Sequence, residues 1–257
     1  MTTALLLAAG KATRLGALRD QYAKACVPVA GTTPLRFAIE ALAQAGVTRV
    51  IVNLHWQAEQ VQAEARAAVP SDMQLEFLQE EVLLGTGGTV LACLDQFGVL
   101  PDLVMNAKQF GDLDFGAVLQ APAGSLVLHQ GSPLSLFGGL AYSAADHLLG
   151  LVGRDTPPQL PAGAVGAAVY TGICRPDSAW LPHLEAAAPE ARAKQEALCL
   201  ARSGFLAAAA AESAVPVFLH DGVWCEISTP ERVQEAAAIV QALADGARSD
   251  QSGFGVA

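Results

Sequence analysis

The sequence predicts an α/β fold in which a mixed, mostly parallel sheet is flanked by helices. Over about the first hundred residues, short apolar runs alternate with stretches of helical periodicity. Parallel neighbours need crossover helices of this kind, and ligands then bind beyond the carboxyl ends of the strands. The chain has 257 residues, of which 52% are apolar and 16% charged, enough to bury the core of one large domain. This combination is typical of a Rossmann-like arrangement.

The elements of the N-terminal half follow from their apolar patterns. A short leucine-rich or β-branched run predicts a buried strand, and apolar residues spaced three and four apart predict a helix. Gly46 closes the first long helix, and the next one ends before Pro70. The predicted strands cover residues 5–9, 50–52, 75–78 and 103–106, and the predicted helices cover residues 35–45 and 58–68 and a segment that opens at 89–94.

The C-terminal half is less regular. Gly, Pro and Ser interrupt residues 124–165, which we expect to contain weaker, mixed strands. The predicted elements are a strand at 126–128, an alanine-rich helix at 205–214 and a terminal helix at 233–244. We expect one domain over residues 1–245 and a frayed C-terminal tail at 246–257.

Charge and cysteine content narrow the possible functions. The net charge of −10 argues against non-specific nucleic-acid binding, so an anionic ligand would need local cations such as Arg14, Arg19 and Lys24. The apolar stretches are shorter than a membrane span, and we expect no secretory signal at the N-terminus. Five scattered cysteines without a C-x-x-C pair predict a reduced, cytoplasmic protein without structural zinc.

The N-terminal segment predicts a phosphate site. The apolar run LLLAA leads into the small-residue loop Gly10-Lys11-Ala12-Thr13-Arg14, and Lys24 follows ten residues after Arg14. A loop at a helix N-terminus offers free backbone N–H groups to a phosphate, and the two cations would add charge. The alternative is an ordinary strand-to-helix turn.

Two segments together resemble the signature of the sugar-phosphate nucleotidyltransferases. LLLAAGKATRL (residues 5–15) and AKACVPVAG (residues 23–31) are similar to L-A-A-G-x-G-T-R-L and P-K-x-L-x-P-V-x-G, with the Arg-to-Lys spacing kept. The subgroup it resembles comprises the small bacterial N-acetylmuramate 1-phosphate uridylyltransferases and mannose 1-phosphate guanylyltransferases. Such enzymes join a nucleoside triphosphate to a sugar 1-phosphate and release pyrophosphate. The resemblance implies a nucleotide-binding half at 1–120 and a sugar-side half at 121–245.

The resemblance also implies roles for the loop. In the family the loop wraps the triphosphate, the Arg assists pyrophosphate departure and the Lys contacts the reacting phosphates, which assigns Arg14 and Lys24 as catalytic. Ala12 stands where the family has Gly, and its methyl group is expected to resist a positive φ. The implied nucleotide-binding residues of this loop are Ala8, Ala9, Gly10, Lys11, Ala12 and Thr13.

A second glycine-rich segment resembles the family's L-G/E-T-x-G-G stretch, whose backbone lies against the nucleobase. It comprises Gly85, Thr86, Gly87 and Gly88, and the alternative is a flexible loop before a helix. On the sugar-phosphate side, the resemblance points to Asn106 and Gly172. Asn53 and His55 match a strand end in the family, but we assign His55 no catalytic role.

The positions that bind Mg²⁺ in the family differ in this chain. The family segment V-N-A-D reads Met105-Asn106-Ala107-Lys108, which puts Lys108 where the metal-binding Asp belongs. Magnesium requires oxygen ligands, and an ammonium group can only donate hydrogen bonds. In WCEISTPE, similar to W-x-D-V-G-T-P-E, Glu226 takes the second Asp position as the remaining possible metal ligand. The resemblance therefore implies Mg²⁺, while Lys108 argues against it.

Nearby acidic and polar residues have simpler explanations. Asp112 and Asp114 are expected to cap the helix that follows them. Thr229-Pro230 is the pattern of a helix start, with the threonine at the cap and the proline at the first helical position.

Two functions remain open from the sequence. The first is nucleotidyl transfer, intact or impaired, with the Lys108 ammonium partly replacing the charge of Mg²⁺. The second is a non-catalytic relative (a pseudoenzyme) that binds a nucleotide or sugar nucleotide and acts as a regulatory or partner protein. A third alternative is that Lys108 was introduced by design. Base, sugar and oligomeric state are not determined by the sequence.

Overall fold

Strands and helices alternate along the computed structural model, which describes the backbone of residues 1–252 and the side chains of residues 1–245. The strands are β1 (Thr3–Leu7), β2 (Arg49–Leu54), β3 (Gln74–Gln79), β4 (Leu103–Asn106), β5 (Gln109–Gly111), β6 (Leu126–His129), β7 (Gly139–Ser143), β8 (Leu148–Val152), β9 (Ala164–Cys174), β10 (Val217–His220) and β11 (Trp224–Glu226). The helices are α1 (Leu18–Gln21), α2 (Pro34–Gln44), α3 (Ala58–Ala68), α4 (Gly85–Phe97), α5 (Phe115–Gln120), α6 (Leu134–Phe137), α7 (Leu181–Ala193), α8 (Leu206–Ala210) and α9 (Pro230–Ser252).

Within the described residues, nine strands form one mixed sheet. Its main path runs β10-β6-β9-β4-β1-β2-β3, with β7 joined to β9 and β8 to β7. The neighbours β4, β1, β2 and β3 are parallel, as the crossover helices require. Strand β9 runs antiparallel to both β4 and β6, and β5 pairs with β11 in a separate antiparallel ribbon. The prediction of an α/β fold with a mixed sheet flanked by helices is confirmed.

The sheet is covered on both faces because its strands alternate between two apolar layers. Leu6 of β1 packs in the layer that contains Ile39 of α2, whereas Leu5 packs with Val90 of α4 on the other face. A third cluster holds Leu15 and neighbouring side chains against α9. Among the described residues, no helix combines the length and apolar character that a membrane crossing needs.

Several boundaries differ from the sequence-based prediction. Helix α4 begins at Gly85, because Leu198 holds the preceding turn by accepting from Gly87 N–H at 2.9 Å and donating to the Leu84 carbonyl at 2.9 Å. The alanine-rich helix is a π-helical turn at Ala201–Phe205 followed by the short α8. Helix α9 continues to Ser252, beyond the predicted end at residue 244, and the last part of the expected tail, residues 253–257, lies outside the described residues.

A strained two-residue turn carries a stability prediction. Val29 and Thr32 exchange backbone hydrogen bonds of 2.8 and 3.1 Å around Ala30 (φ 45°) and Gly31 (φ 87°). A turn with two positive φ angles favours Asn-Gly, and an exposed alanine in this region costs about 1–2 kcal/mol. Ala30→Asn is therefore expected to raise the free energy of unfolding by about 1 kcal/mol in denaturant titration. Ala63→Asn, at an exposed position within the right-handed helix α3, is the control and should bring no gain.

Candidate nucleotide site

The predicted phosphate loop lies where three parallel strands end side by side. Leu7 at the end of β1 pairs with Asn53 of β2 on one side and with Asn106 of β4 on the other. A cavity of about 310 Å³ opens beyond these ends. Its lining includes Ala8, Ala9, Gly10, Lys24, Asn53, Glu80, Gly85, Thr86, Asn106 and Lys108. The structure thus brings together residues from separate segments of the sequence.

The helix that follows the loop is short. The residues after the loop form turns and the single-turn helix α1, so the loop does not lead into a long helix of its own. Ala12 adopts a φ of 54° despite its methyl group, which is buried in the cluster around Leu15. Packing of that methyl group offsets the backbone strain. Thr13 and Arg14 are exposed beside the cavity, and the Lys11 carbonyl accepts a 2.8 Å hydrogen bond from the Arg19 guanidinium.

A larger cleft adjoins the cavity and shares Leu83 and Ala197 with it. The cleft has a volume of about 1100 Å³ and includes Lys11 and Gly88 in its lining. The cavity beside the Gly10 loop and the cleft beside α4 are thus neighbours in the structure.

Lys24 enters the cavity from a short 3₁₀ turn, Lys24–Cys26. Burial, and then the positive charges of Lys108 and Arg14, lower the pKa of Lys24 to about 8. Within the described part of the chain, no ion pair involves this ammonium group. Lys108 and Arg14 therefore lie close enough to Lys24 to disfavour its charge, as cations grouped around an anion would.

Lys108 forms an ion pair with Glu226. The β5–β11 ribbon places Gln109 opposite Glu226, and Ile227 N–H donates to the Lys108 carbonyl at 2.9 Å. The Lys108 ammonium donates to Glu226 Oε2, and Arg232 and Ser228 both donate to Oε1. The Glu226 side chain is only 5% exposed, so this carboxylate is buried and fully hydrogen-bonded.

The charges around Glu226 determine its titration. Burial alone raises the pKa of Glu226, but Lys108, Ser228 and Arg232 outweigh it and hold that pKa below its ordinary value of 4.5. The group is therefore a carboxylate at neutral pH, and each of its oxygens already has a donor.

These residues do not fit Mg²⁺. The position of one expected carboxylate carries an ammonium group, and the other carboxylate is occupied by three donors. Among the described residues, no group of three or more His, Cys, Asp or Glu side chains could hold a metal ion. The expected role of Glu226 as a metal ligand is therefore not supported by its surroundings.

The glycine-rich segment forms the first turn of α4 and packs against the chain at 198–200. A Cβ on Gly85 (φ 79°) would lie 2.6 Å from the Leu198 carbonyl oxygen, and one on Gly87 would lie 2.8 Å from Leu184 Cδ2. Thr86 Oγ1 accepts from Leu200 N–H at 2.9 Å. Close packing against backbone is thus sufficient to require glycine at position 85 and disfavours a side chain at position 87, and Gly85 and Thr86 also line the cavity.

Asn106 and Gly172 are in direct contact. Gly172 has a φ of 80°, and a Cβ there would overlap Asn106 Nδ2. The two residues assigned to the sugar-phosphate side therefore come from adjacent strands, β4 and β9, and only glycine admits the asparagine side chain.

Two acidic residues and a threonine near the site have structural roles. Asp114 caps α5 by accepting from Ala117 N–H at 2.9 Å, as predicted. The prediction for Asp112 was wrong, because its carboxylate accepts from Val223 N–H at 2.7 Å and lies 3.3 Å from His220 Nε2. Thr229 caps the start of α9, accepting from Arg232 N–H at 3.4 Å.

Sequence reasoning missed Arg232 and assigned no role to Glu80. Glu80 is 2% exposed and lies one residue past the end of β3, in the stretch from Gln79 onward that the strand-end rule indicates. Arg232 follows the predicted cap of α9 by three residues, so its proximity to Glu226 follows from the helix start. Neither residue belongs to the motif segments that carry the resemblance.

Comparison with known proteins agrees with this architecture. Residues 4–105 match the MobA-like NTP transferase domain. The N-acetylmuramate alpha-1-phosphate uridylyltransferase of Neisseria meningitidis serogroup B is 26% identical over 243 residues, covering 93% of this chain and 98% of that protein. The Caulobacter vibrioides protein of the same name is 29% identical over 182 residues, covering 68% of this chain and 75% of that protein.

More distant similarities point the same way. The mannose-1-phosphate guanylyltransferase of Mycobacterium tuberculosis is 25% identical over 173 residues, covering 65% of this chain and 47% of that protein. The crystal structure of HddC from Yersinia pseudotuberculosis shares the fold with a TM-score of 0.66 at 18% identity, over 93% of this chain and 100% of that one. Residues 4–105 therefore match a MobA-like NTP transferase domain, and the chain is distantly homologous to N-acetylmuramate alpha-1-phosphate uridylyltransferases and mannose-1-phosphate guanylyltransferases.

Proposed function

We propose that this protein binds a nucleoside triphosphate or a sugar nucleotide without a divalent cation, as a relative of the nucleotidyltransferases that has lost metal-dependent transfer. One observation carries the proposal. Lys108 and Glu226 occupy the positions at which the resemblance places the metal carboxylates, and they form a closed ion pair supported by Arg232 and Ser228. That arrangement replaces a cation-binding site by a cationic one.

The cavity supports anion binding through fixed charges. Phosphate oxygens in the cavity of about 310 Å³ would face the Gly10 loop and the ammonium groups of Lys24 and Lys108. At about 4 Å and an effective dielectric near 20, one such pair of unit charges interacts by about 4 kcal/mol before desolvation. The adjoining cleft of about 1100 Å³ has room for the nucleoside or sugar portion. Arg14, at the exposed margin, would reach the outermost phosphate.

Nucleotidyl transfer is the second candidate, and the grouping of Arg14, Lys24 and Lys108 favours it. In that reaction a sugar phosphate oxygen attacks the α-phosphorus in line, the bond to the bridging oxygen breaks, and pyrophosphate leaves with the electron pair. No protein nucleophile is needed, so the chain would contribute positioning and charge neutralisation. Lys108 would stabilise the charge on the transferring phosphoryl group, and Arg14 and Lys24 the charge on pyrophosphate.

Calorimetric titration distinguishes the two functions. A panel of nucleoside triphosphates and sugar nucleotides is titrated into the protein with Mg²⁺ and with EDTA, and pyrophosphate release is assayed with sugar 1-phosphates. We expect at least one ligand to bind in EDTA, more weakly when Mg²⁺ is added, and no pyrophosphate release. Binding that requires Mg²⁺ would overturn the proposal, and pyrophosphate release in EDTA would establish the second candidate instead.

The pH dependence of binding is expected to follow Lys24. Because its pKa is about 8, Lys24 is charged below that pH and loses its proton as the pH rises through it. A bound phosphate favours the charged form, so ligand affinity should fall between about pH 7 and pH 9, with proton uptake on binding in that range. Calorimetry in buffers of different ionisation enthalpy measures this uptake. Lys24→Arg stays charged and should remove the step; an unchanged profile in that variant would assign the titration to another group.

A further inference from the structure

A buried polar network connects the phosphate loop with the glycine-rich segment. Asn53 Oδ1 accepts from the backbone N–H groups of Ala8 at 2.6 Å and Ala9 at 3.1 Å. Asn53 Nδ2 donates to Glu80 Oε1 at 2.7 Å, and Glu80 Oε2 accepts from Leu84 N–H at 3.0 Å. The network thus runs from the residues after β1, through the end of β2, to the residue before Gly85.

Thr89 adds a third side chain to this network. The Thr89 hydroxyl donates to Glu80 Oε1 at 2.6 Å and accepts from Asn53 Nδ2 at 3.3 Å. Asn53, Glu80 and Thr89 are 4%, 2% and 1% exposed, so the loss of one partner leaves a nearly buried polar group with an unmade hydrogen bond. An amide at position 53 supplies the required acceptor and donor together, and a carboxylate at position 80 supplies acceptors alone. The network therefore fixes the orientation of the Asn53 amide, whereas the Thr89 hydroxyl also lies 2.9 Å from the Gly85 carbonyl oxygen.

We infer that Asn53 and Glu80 are positioning residues that hold the phosphate loop and the glycine-rich segment in a fixed mutual arrangement for the ligand. The inference rests on the proposed nucleotide binding. Asn53 occupies the N–H groups of Ala8 and Ala9, so that the N–H groups from Gly10 onward would be left for the phosphates. Glu80 fixes the Leu84–Gly85 turn at the other side of the same cavity. A site held in this way needs less reorganisation when the ligand binds.

Exchanging the two functional groups tests the inference. Asn53→Asp removes the donor to Glu80 and sets two carboxylates against each other, whereas Glu80→Gln leaves an amide donor facing another donor. In the double variant N53D/E80Q, the amide introduced at position 80 would donate to the carboxylate introduced at position 53. Its carbonyl would accept from Leu84 N–H, and the network would hold one carboxylate as before. Each single variant should lower the affinity for the best-binding nucleoside triphosphate about tenfold, and the double variant should recover most of it.

A control at the other end of β1 separates positioning from stability. Asp102 accepts from Thr3 N–H at 2.8 Å, so Asp102→Ala removes a comparable backbone contact far from the cavity. It should lower the melting temperature and leave the affinity unchanged. Hydrogen exchange of residues 8 and 9 provides a readout without ligand, and should be faster in each single variant and restored in the double variant.

The outcomes separate this inference from the proposed function. If the wild-type protein binds no nucleotide, the proposed function fails, and restored protection of residues 8 and 9 in the double variant still establishes the network as a loop-holding device. If the wild-type protein binds and the single variants bind equally well at temperatures where all are folded, the positioning role is overturned. Loss of affinity in the double variant equal to the sum of the single losses would overturn it as well.

Discussion

Lys108→Asp is expected to make nucleoside triphosphate binding dependent on Mg²⁺, which should weaken binding to the wild-type protein. In the wild type, Lys24 and Lys108 compete with Mg²⁺ for the phosphate oxygens. In the variant, the new carboxylate would lie beside Glu226, since Ile227 N–H bonds to the backbone carbonyl of residue 108. Two adjacent carboxylates suit a hard divalent cation, so affinity with Mg²⁺ should exceed affinity in EDTA by about tenfold or more. Calorimetric titration with and without the metal measures the reversal.

Lys108→Met is the matched control because it removes the ammonium group without adding an oxygen ligand. It should weaken triphosphate binding both with Mg²⁺ and in EDTA. Binding should still be stronger in EDTA than with Mg²⁺, but by a smaller factor than in the wild type. The Lys108→Asp variant is also expected to gain pyrophosphate release with a sugar 1-phosphate if the rest of the site is intact. Equal affinity of the Lys108→Asp variant with Mg²⁺ and in EDTA would contradict the idea that Lys108 alone prevents Mg²⁺-dependent binding.

Glu226→Gln is expected to destabilise the protein by about 3 kcal/mol, because removing one partner of a buried ion pair leaves the other charges uncompensated. Glu226 is the acidic partner of both Lys108 and Arg232, whose side chains are 27% and 18% exposed. Chemical denaturation measures the loss. A triphosphate should stabilise the variant more than the wild type, since its phosphates would restore negative charge between the cations.

The pH dependence of this loss has a definite sign. The folded-state pKa of Glu226 lies below its ordinary value of 4.5, so the stabilisation is complete above that value and disappears as the pH falls through the folded-state pKa. The two proteins should therefore differ at neutral pH and converge in acid. Glu190→Gln is the control, because its pair with Lys194 is exposed, and it should leave stability unchanged. Equal stability of Glu226→Gln and wild type at neutral pH would contradict this account.

Local patterns were sufficient to predict the fold and the place of the cavity. The apolar periodicity of the first hundred or so residues predicted β2, β3 and β4 within two residues at each end, and α3 was predicted with its observed limits. Strand-end residues of a parallel sheet meet at one edge, which is why Asn53 and Asn106 flank Leu7. Glu80 was not singled out, because its role depends on partners in other segments.

The start of α4 shows how local prediction fails. Gly85–Gly88 has a poor intrinsic helix propensity, so the sequence favoured a loop there. The helix begins at Gly85 because Leu198, more than a hundred residues away, fixes the preceding turn by two backbone hydrogen bonds. Ala12 is a second example, since a buried methyl group compensates for its positive φ.

By itself, the sequence determined the α/β class and predicted a phosphate loop with two spaced cations, because both follow from periodicity and spacing within short segments. The resemblance to the nucleotidyltransferases, and not the spacing, implied a metal carboxylate at the position of Lys108. Only the tertiary structure decided what Lys108 does, because its partner Glu226 is 118 positions away. The β5–β11 ribbon brings the two side chains together, and the start of α9 adds Arg232. Those cations stabilise the buried carboxylate of Glu226 and donate hydrogen bonds to both of its oxygens. The carboxylate is therefore already occupied at the place where Mg²⁺ was expected to bind.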